Sequence, residues 1–355
     1  MSRRRLLPPL LGALLLIALP LLLVWSLRTG VAGGHDLSTL LRGVLAAMGA
    51  GPRLPGTTQT IIELRLWRAL TTAGVGAALS LSGALLPGLC RNPLASPSVL
   101  GVTSGASLGA TLAILALGGY GPLLLSGLAG GASVLVPAAG FLGAAGVVTL
   151  VVLLAGAGGR GSVPALLLLG LAVNTCLAGL LALISALVLA DWEVSRAILA
   201  WTFGSLDDRA PQHAATVWIG LAVACVAVPF VAWELDLLAA GEEDARALGV
   251  HTARVRRIVV LASSLSAAAA VAVSGQIAFV GLVCPHLVRL LSVRSHKALL
   301  PLSALLGACF LLGIDTSQRA LLGDRALPPG VAMSLVGGPF FLGLLLTHRR
   351  ELDTW

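Results

Sequence analysis

Residues able to make or break a covalent bond are few in this chain, and none stands in a catalytic arrangement. Five cysteines (Cys90, Cys176, Cys225, Cys284 and Cys309) are scattered, with no CxxC pair and no metal-ligand spacing. The six histidines form no HExxH and no His-Cys cluster. Ser104 lies in Thr-Ser-Gly and His286 follows Pro285, but no positioned base or acid accompanies either. His286, beside a proline, reads more readily as a local hydrogen-bonding residue than as a metal ligand. No Gly-x-x-x-x-Gly-Lys-Ser/Thr loop is present, so nucleotide phosphates are not bound by that route. The sequence therefore points to no catalytic residue, no metal site and no cofactor held by this chain.

What remains is charge suited to contact. Arg65 and Arg68 are three apart and share a helix face. They read either as an interfacial snorkelling pair around Trp67 or as a docking surface for an acidic partner. Glu234 to Arg257 is the longest charged insert. Glu242, Glu243, Asp244 and Arg246 precede Ala247-Leu248-Gly249-Val250, and His251, Arg254, Arg256 and Arg257 follow. An acidic first turn and a glycine after Leu248 predict a short helix with a C-terminal stop, and a second short helix from about Thr252 that runs into the span at 256–274. Such a hairpin suits contact with a soluble partner; as a solvated connector it would do nothing more. Arg91 to Pro97 predicts a tight turn, with Pro97 in the first turn of the next helix.

These segments must be held by an apolar scaffold. Hydrophobic residues make up 57 % of the 355 and DEKR only 11 %, and mean hydropathy is +0.98. No water-soluble domain hides that much apolar side chain, so the solvent is lipid. Ten runs are long enough or nearly long enough to cross a bilayer: 6–27, 66–87, 98–117, 132–156, 163–190, 212–233, 256–274, 279–291, 299–318 and 331–347. The first follows Arg3, Arg4 and Arg5 and resembles a signal peptide. It is too long for one and lacks a clear cleavage site, so it reads as a retained helix. With both termini placed inside, the cytoplasmic segments hold 14 Lys and Arg and the outer segments nine. The net charge of +8 does not indicate nucleic acid: Lys297 is the only lysine, and no basic stripe is interleaved with aromatics. The 43 glycines, with segments such as Ala73–Ala78 and Gly127–Gly131, predict a closely packed many-helix bundle. Asp315, with Gln318 and Arg319 one turn on, is the one carboxylate well inside an apolar run, and no buried ion relay is expected. That, and the lack of an evident inverted repeat, weighs against an ion-coupled secondary transporter.

Gly275 to Arg289 is interrupted by Gly275, Gly281 and Pro285. The 13 clearly apolar residues from 279 to 291 would rise only about 20 Å as one helix, short of the hydrocarbon core. The expectation is a short helix entered through Gly275, a turn near Gly281, and a steeper span through Pro285. Ile277 and Val280 would then face a path or gate.

Taken together and in this order, these stretches resemble the FecCD family of ABC-transporter permeases. The matching segments are Leu64-Arg-Leu-Trp-Arg68, Gly83 to Ala95, Pro97 to Gly101, Leu168 to Val173, Trp201 to Leu206, Gly241 to Gly249, Gly275 to Arg289, and Gly337-Gly-Pro-Phe-Phe341. The resemblance implies an all-α polytopic protein of the bacterial cytoplasmic membrane with ten helices and both termini cytoplasmic. It implies one permease domain over residues 1–355, including a cytoplasmic coupling loop at 234–257. Two permeases would pair around a central path and receive two cytoplasmic ABC ATPases, which bind the ATP and Mg. The coupling residues would be Gly241, Glu242, Ala245, Arg246, Leu248 and Gly249. An extracytoplasmic substrate-binding protein would meet Arg65 and Arg68. The gate would involve Gly275, Ile277, Val280, Gly281 and Pro285. The cargo would be a metal chelate, iron–siderophore first, with haem or cobalamin as alternatives. Three positions depart from the family pattern: Trp67 for a usual Pro, Pro87 for a frequent Gln, and Ala278 for a usual Gly.

Overall fold

The computed structural model describes residues 2–30, 34–90, 92, 95–119, 132–157, 163–293 and 295–347. Gly127–Gly131, Arg91, Pro93, Leu94, Arg160, Arg294, Arg349 and Arg350 lie outside them. All described regular structure is helical. The order is α1 (Ser2–Arg28), α2 (Leu37–Ala47), α3 (Thr58–Cys90), a 3-10 turn (Pro97–Leu100), α4 (Val102–Leu117), α5 (Ala132–Ala157) and α6 (Val163–Leu187). Then come α7 (Trp192–Phe203), α8 (Pro211–Ala240), α9 (Glu242–Ala247), α10 (Thr252–Ser274), α11 (Val280–Leu290), α12 (His296–Leu322), a 3-10 turn (Gly323–Arg325) and α13 (Pro329–Thr347).

Seven of these helices are long and apolar enough to cross a membrane: α1, α3, α5, α6, α8, α10 and α12. Four more, α2, α4, α11 and α13, are apolar but shorter. The chain is thus a multi-pass membrane protein. Each of the ten runs falls on a helix, but the apolar helices outnumber them by one. The extra helix is α2, which hydropathy alone passes over because polar residues punctuate it. Its start is nonetheless written locally. Asp36 caps it by accepting from the Thr39 amide at 3.3 Å, and hydrogen bonds from Ser38 and Thr39 hold the Asp36 carboxyl well below the usual carboxylate range. Helix α7 was also not expected, and Asp191 caps it through the Val194 amide at 3.2 Å.

The core is α3. Its 33 residues extend about 50 Å, well beyond a hydrocarbon core of about 30 Å. It therefore begins at Thr58, eight residues before the expected span, and carries Arg65 and Arg68 within it. It is buried against α12, α10, α8 and α11. Lipid supplies no hydrophobic push between helices, so close backbone contact must hold them. Glycines permit it. A Cβ on Gly76 would collide with the Gly307 carbonyl of α12, and one on Gly83 with the Gly281 backbone of α11. Serine hydroxyls add interhelical bonds: Ser80 to the Ser303 carbonyl at 2.6 Å, Ser82 to Ser263 at 2.7 Å and Ser266 to Ala78 at 3.0 Å. At the other extreme α6 buries almost none of its surface within the chain.

Candidate functional sites at the two ends of the bundle

At one end of the bundle the end of α1 meets the first turns of α3 and the last turns of α12. There Arg68 reaches across to Asp315 on α12. Its Nε donates to Oδ2 at 3.1 Å and its Nη2 to Oδ1 at 2.7 Å. Arg319, one turn on from Asp315, donates its Nε to the same Oδ2 at 3.0 Å. Asp315 is fully buried. Its charge is tolerable there because three charge-assisted donors meet it, two of them in a fork. Arg68 Nη1 also pairs with Asp207, whose side chain is 68 % exposed on the loop after α7. The sequence places Asp315 only beside Gln318 and Arg319; Arg68 joins them from α3. The Asp315–Arg319 half is an i,i+4 pair open to sequence reading. The Arg68 half joins residues 247 positions apart.

Arg65 is only 8 % exposed. Its Nη1 donates to the Leu27 carbonyl at 2.9 Å, and Arg319 donates to the Thr29 carbonyl at 3.3 Å and the Ser26 hydroxyl at 2.8 Å. The last carbonyls of a helix lack intrahelical partners. Two arginines thus close the end of α1, as basic side chains do at helix C-termini. A cleft of about 260 Å³ lies among Arg65, Arg68, Arg319, Asp207 and Asp208.

The opposite end is built by the ends of α3 and α8 and the starts of α10 and α12. Glu234 and Asp236 do not lie on a loop, because α8 runs on to Ala240. Asp236 is put to use there. It accepts from the Ser295 hydroxyl at 2.9 Å, the His296 amide at 2.8 Å and His296 Nδ1 at 2.6 Å, tying the start of α12 to α8. Sequence reading missed this joint, whose halves lie 60 positions apart. Past Gly241, the short helix α9 is the one expected. Its stop is a Schellman turn: the Gly249 amide donates to the Arg246 carbonyl at 2.9 Å and the Val250 amide to Ala245 at 3.0 Å. Gly249 sits at φ +87°, which favours glycine. Glu242 pairs with Arg246 at 2.7 Å and Arg256 at 3.5 Å. Ala245 and Val250 are buried beneath the turn, and Leu248 projects from its crest, 64 % exposed. The helix expected from Thr252 runs into the next span, as read: it is the start of α10, continuous from Thr252 to Ser274.

Between the ends lies the interrupted segment. The expected short helix before Gly281 does not form. Residues 275–279 carry no helix, and α11 begins only at Val280. The reason is crowding. A Cβ on Gly275 would strike the Trp201 carbonyl, and ones on Gly204 and Gly330 would crowd the Gln276 carbonyl. Three elements thus grip this stretch, leaving no room for a helical turn. Ser205 donates its amide to the Ser274 carbonyl at 2.8 Å, and Gln276 reaches Ser107 of α4 at 2.8 Å. Gly281 is no turn; it is the close contact of α11 with Gly83. Phe279 takes φ +67°, costly for a bulky residue. Its ring root lies against Gly337 of α13, where a side chain would clash. Ile277 and Val280 are buried inside the chain, as is Pro285, while Ala278 is exposed. The expected coupling residues and Arg65 with Arg68 therefore lie at opposite ends of the bundle and do not converge. No group of three His, Cys, Asp or Glu able to hold a metal occurs among the described residues.

A sequence profile described as the FecCD transport family matches residues 11–347. The hemin transport system permease protein HmuU of Yersinia pestis is 37 % identical over 299 residues, spanning 82 % of this chain and 84 % of that protein. The cobalamin import system permease protein BtuC of Halobacterium salinarum is 37 % identical over 316 residues, spanning 89 % and 80 %. A solved structure described as an inward-facing conformation of a metal-chelate type ABC transporter superposes with a TM-score of 0.77 at 30 % identity, covering 96 % of this chain and 99 % of that one.

Proposed function

This chain belongs to the FecCD transport family, and from that premise we propose a division of labour between its two ends. It is a non-catalytic membrane permease subunit of a metal-chelate ABC importer. The hairpin end faces the cytoplasm, and Gly241, Glu242, Ala245, Arg246, Leu248 and Gly249 form the element that docks into an ABC ATPase. ATP and Mg belong to that partner. The observation that carries this reading is Leu248. A large apolar side chain stands exposed on a turn that buried Ala245, the Schellman bonds and two ion pairs hold rigid. A rigid exposed anchor suits a partner's pocket.

The arginine end faces outward, toward an extracytoplasmic binding protein. Arg65 and Arg68 enter that role already engaged within the chain, so docking proceeds by exchange: a partner's carboxylate takes the place of Asp207 on Arg68. The nearly bare surface of α6 is where a second permease copy pairs, enclosing a central path. Ala278 and Phe279 face that path, while Gly275, Ile277, Val280, Gly281 and Pro285 hold them in position. Alternating access is then a change between two packings of one bundle, biased from both ends. The cargo is a metal chelate, with iron–siderophore taken before haem or cobalamin. Uptake of each chelate by the reconstituted importer with its own binding protein decides among the three.

The docking role is tested by Leu248→Asp in the complete importer. ATPase co-purification and chelate uptake should fall together. Normal co-purification with unchanged substrate-stimulated hydrolysis would remove the hairpin from this role.

A further inference from the structure

Helix α6 is nearly bare within the chain, yet one polar side chain on it is fully engaged. Asn174 donates its Nδ2 to the Ser98 carbonyl at 2.9 Å and the Val99 carbonyl at 3.2 Å, and its Oδ1 accepts from the Ser104 hydroxyl. A Cβ on Gly170, one turn earlier, would strike the Val99 carbonyl, so α6 comes close to the backbone here. What Asn174 grips is irregular: the 3-10 turn Pro97–Leu100, then Gly101 at φ +90° before α4 begins.

The depth of this turn matters. Helix α6 ends at Leu187 and α7 follows; α4 stops beside the start of α7, where a Cβ on Gly119 would meet the Glu193 backbone. The 16 residues of α4 carry the chain about 24 Å from there to Gly101. Asn174 lies about 20 Å from the end of α6. Val147, which a Cβ on Gly101 would strike, lies about 22 Å from the start of α5. Three helices thus place the turn deep within a hydrocarbon core of about 30 Å, with roughly 16 Å of α6 on its far side. Non-helical backbone at that depth persists only where protein buries it or water reaches it. Asn174 supplies the first remedy, to two carbonyls. The second is written in the hydroxyls. Ser98 is exposed and Ser96 half-buried, with their Oγ atoms 2.7 Å apart. Two hydroxyls sharing one bond keep one donor to spend, and lipid tails offer nothing to take it. No charged side chain stands on α4, α5 or α6.

We propose that Asn174 is the positioning residue of a water-facing wall within the membrane. It fixes the turn so that Ser96 and Ser98 present their hydroxyls to the central path beside α6. The wall is neutral, so it meets the outer oxygens of a chelate and their water with hydroxyls rather than with ion pairs. The identity of what passes rests on the importer reading above; the access of water to the turn does not.

The test uses the complete importer in lipid nanodiscs, with the five native cysteines of the permease replaced, and reads the rate of modification by a charged methanethiosulfonate. The thiolate is the reacting form, and a thiol facing lipid does not ionise. Ser98→Cys should react about tenfold faster, or more, than Leu150→Cys, an exposed apolar position of α5 at similar depth. Asn174→Leu removes both donors and should change the Ser98→Cys rate severalfold while labelling of Leu248→Cys stays the same. Asn174→Gln keeps the amide and should bring the rate back toward the original. Ser104→Ala removes only the bond that orients the amide, and it carries the same test where Asn174→Leu does not fold. Equally slow reaction at Ser98→Cys and Leu150→Cys would overturn the wall. So would ready disulfide formation between two copies of Ser98→Cys without labelling, which puts a second chain over the turn. An unchanged Ser98→Cys rate in folded Asn174→Leu would overturn the positioning role. Slow labelling with chelate uptake intact would sink the wall and leave the importer reading; fast labelling with no uptake of any chelate would sink that reading and leave the wall.

Discussion

The two ends of this bundle treat charge in opposite ways. At one end Arg68, Arg319 and Arg65 are drawn inward, each engaged by the chain's own carboxylates or helix-end carbonyls. At the other, ion pairs stay near the surface and serve to stiffen a turn that holds Leu248 out. The first end is a closure, joining α1, α3, α12 and the loop after α7. The second is a presentation. The lesson is that abundant arginine does not by itself mark a docking face. A partner at the arginine end must compete with internal pairs, whereas a partner at the hairpin has only to cover an apolar side chain.

The strongest break of this comparison is Asp315→Asn. It leaves two buried guanidiniums short of their charge partner, and removing one member of a buried pair costs about 3–5 kcal/mol. Thermal unfolding in detergent should show a large fall in Tm. Leu248→Asp in the same assay should stay within about 0.5 kcal/mol of wild type, as exposed substitutions do. If the two variants unfold alike, the contrast between closure and presentation fails. For the same reason, reversing the charges of Arg65 and Arg68 would damage the fold before it reported on docking.

Gly83→Val comes next. It forces a side chain into the Gly281 backbone, and overpacking of this kind costs roughly 1–3 kcal/mol. The loss should appear in Tm, with ATPase binding per folded molecule unaltered. Gly249→Ala is smaller still. A left-handed alanine costs about 1–2 kcal/mol locally, and the fall in ATPase affinity should exceed any fall in Tm. The smallest effect on stability belongs to Asp207→Asn, below about 1 kcal/mol because that carboxylate is exposed. Its value is as a sharper probe: freed of its internal competitor, Arg68 should bind an acidic binding protein more tightly, most visibly at low salt. Unchanged affinity across a salt series would mean that Asp207 and a partner do not share Arg68.

What could be read from the sequence follows the range of the interactions involved. The hairpin was legible because its determinants lie within ten residues: three acids at a helix start, then Leu248-Gly249-Val250 at its stop. The apolar helices were legible from hydropathy, though not their ends. α3 starts early because a helix with polar residues in its first turns is not an apolar run. Asp36 and Asp191 wrote clear caps for α2 and α7, but each precedes a short mixed segment that hydropathy passes over. Arg68 with Asp315, and Asp236 with His296, could not be paired from one sequence, since nothing local binds residues so far apart. The stretch at 275–279 failed for the same reason. Its glycines signalled an interruption, but its shape is imposed by Trp201, Gly204 and Gly330 from other elements.

The most direct measurement of the central claim is thiol labelling of Leu248→Cys in a permease lacking its five native cysteines. The labelling is compared with and without the ATPase subunits in the same membranes. The account predicts rapid labelling by a polar reagent in the permease alone and protection once the ATPases are bound, with Asp207→Cys at the other end labelled equally in both. Equal labelling of Leu248→Cys with and without the ATPases would contradict it.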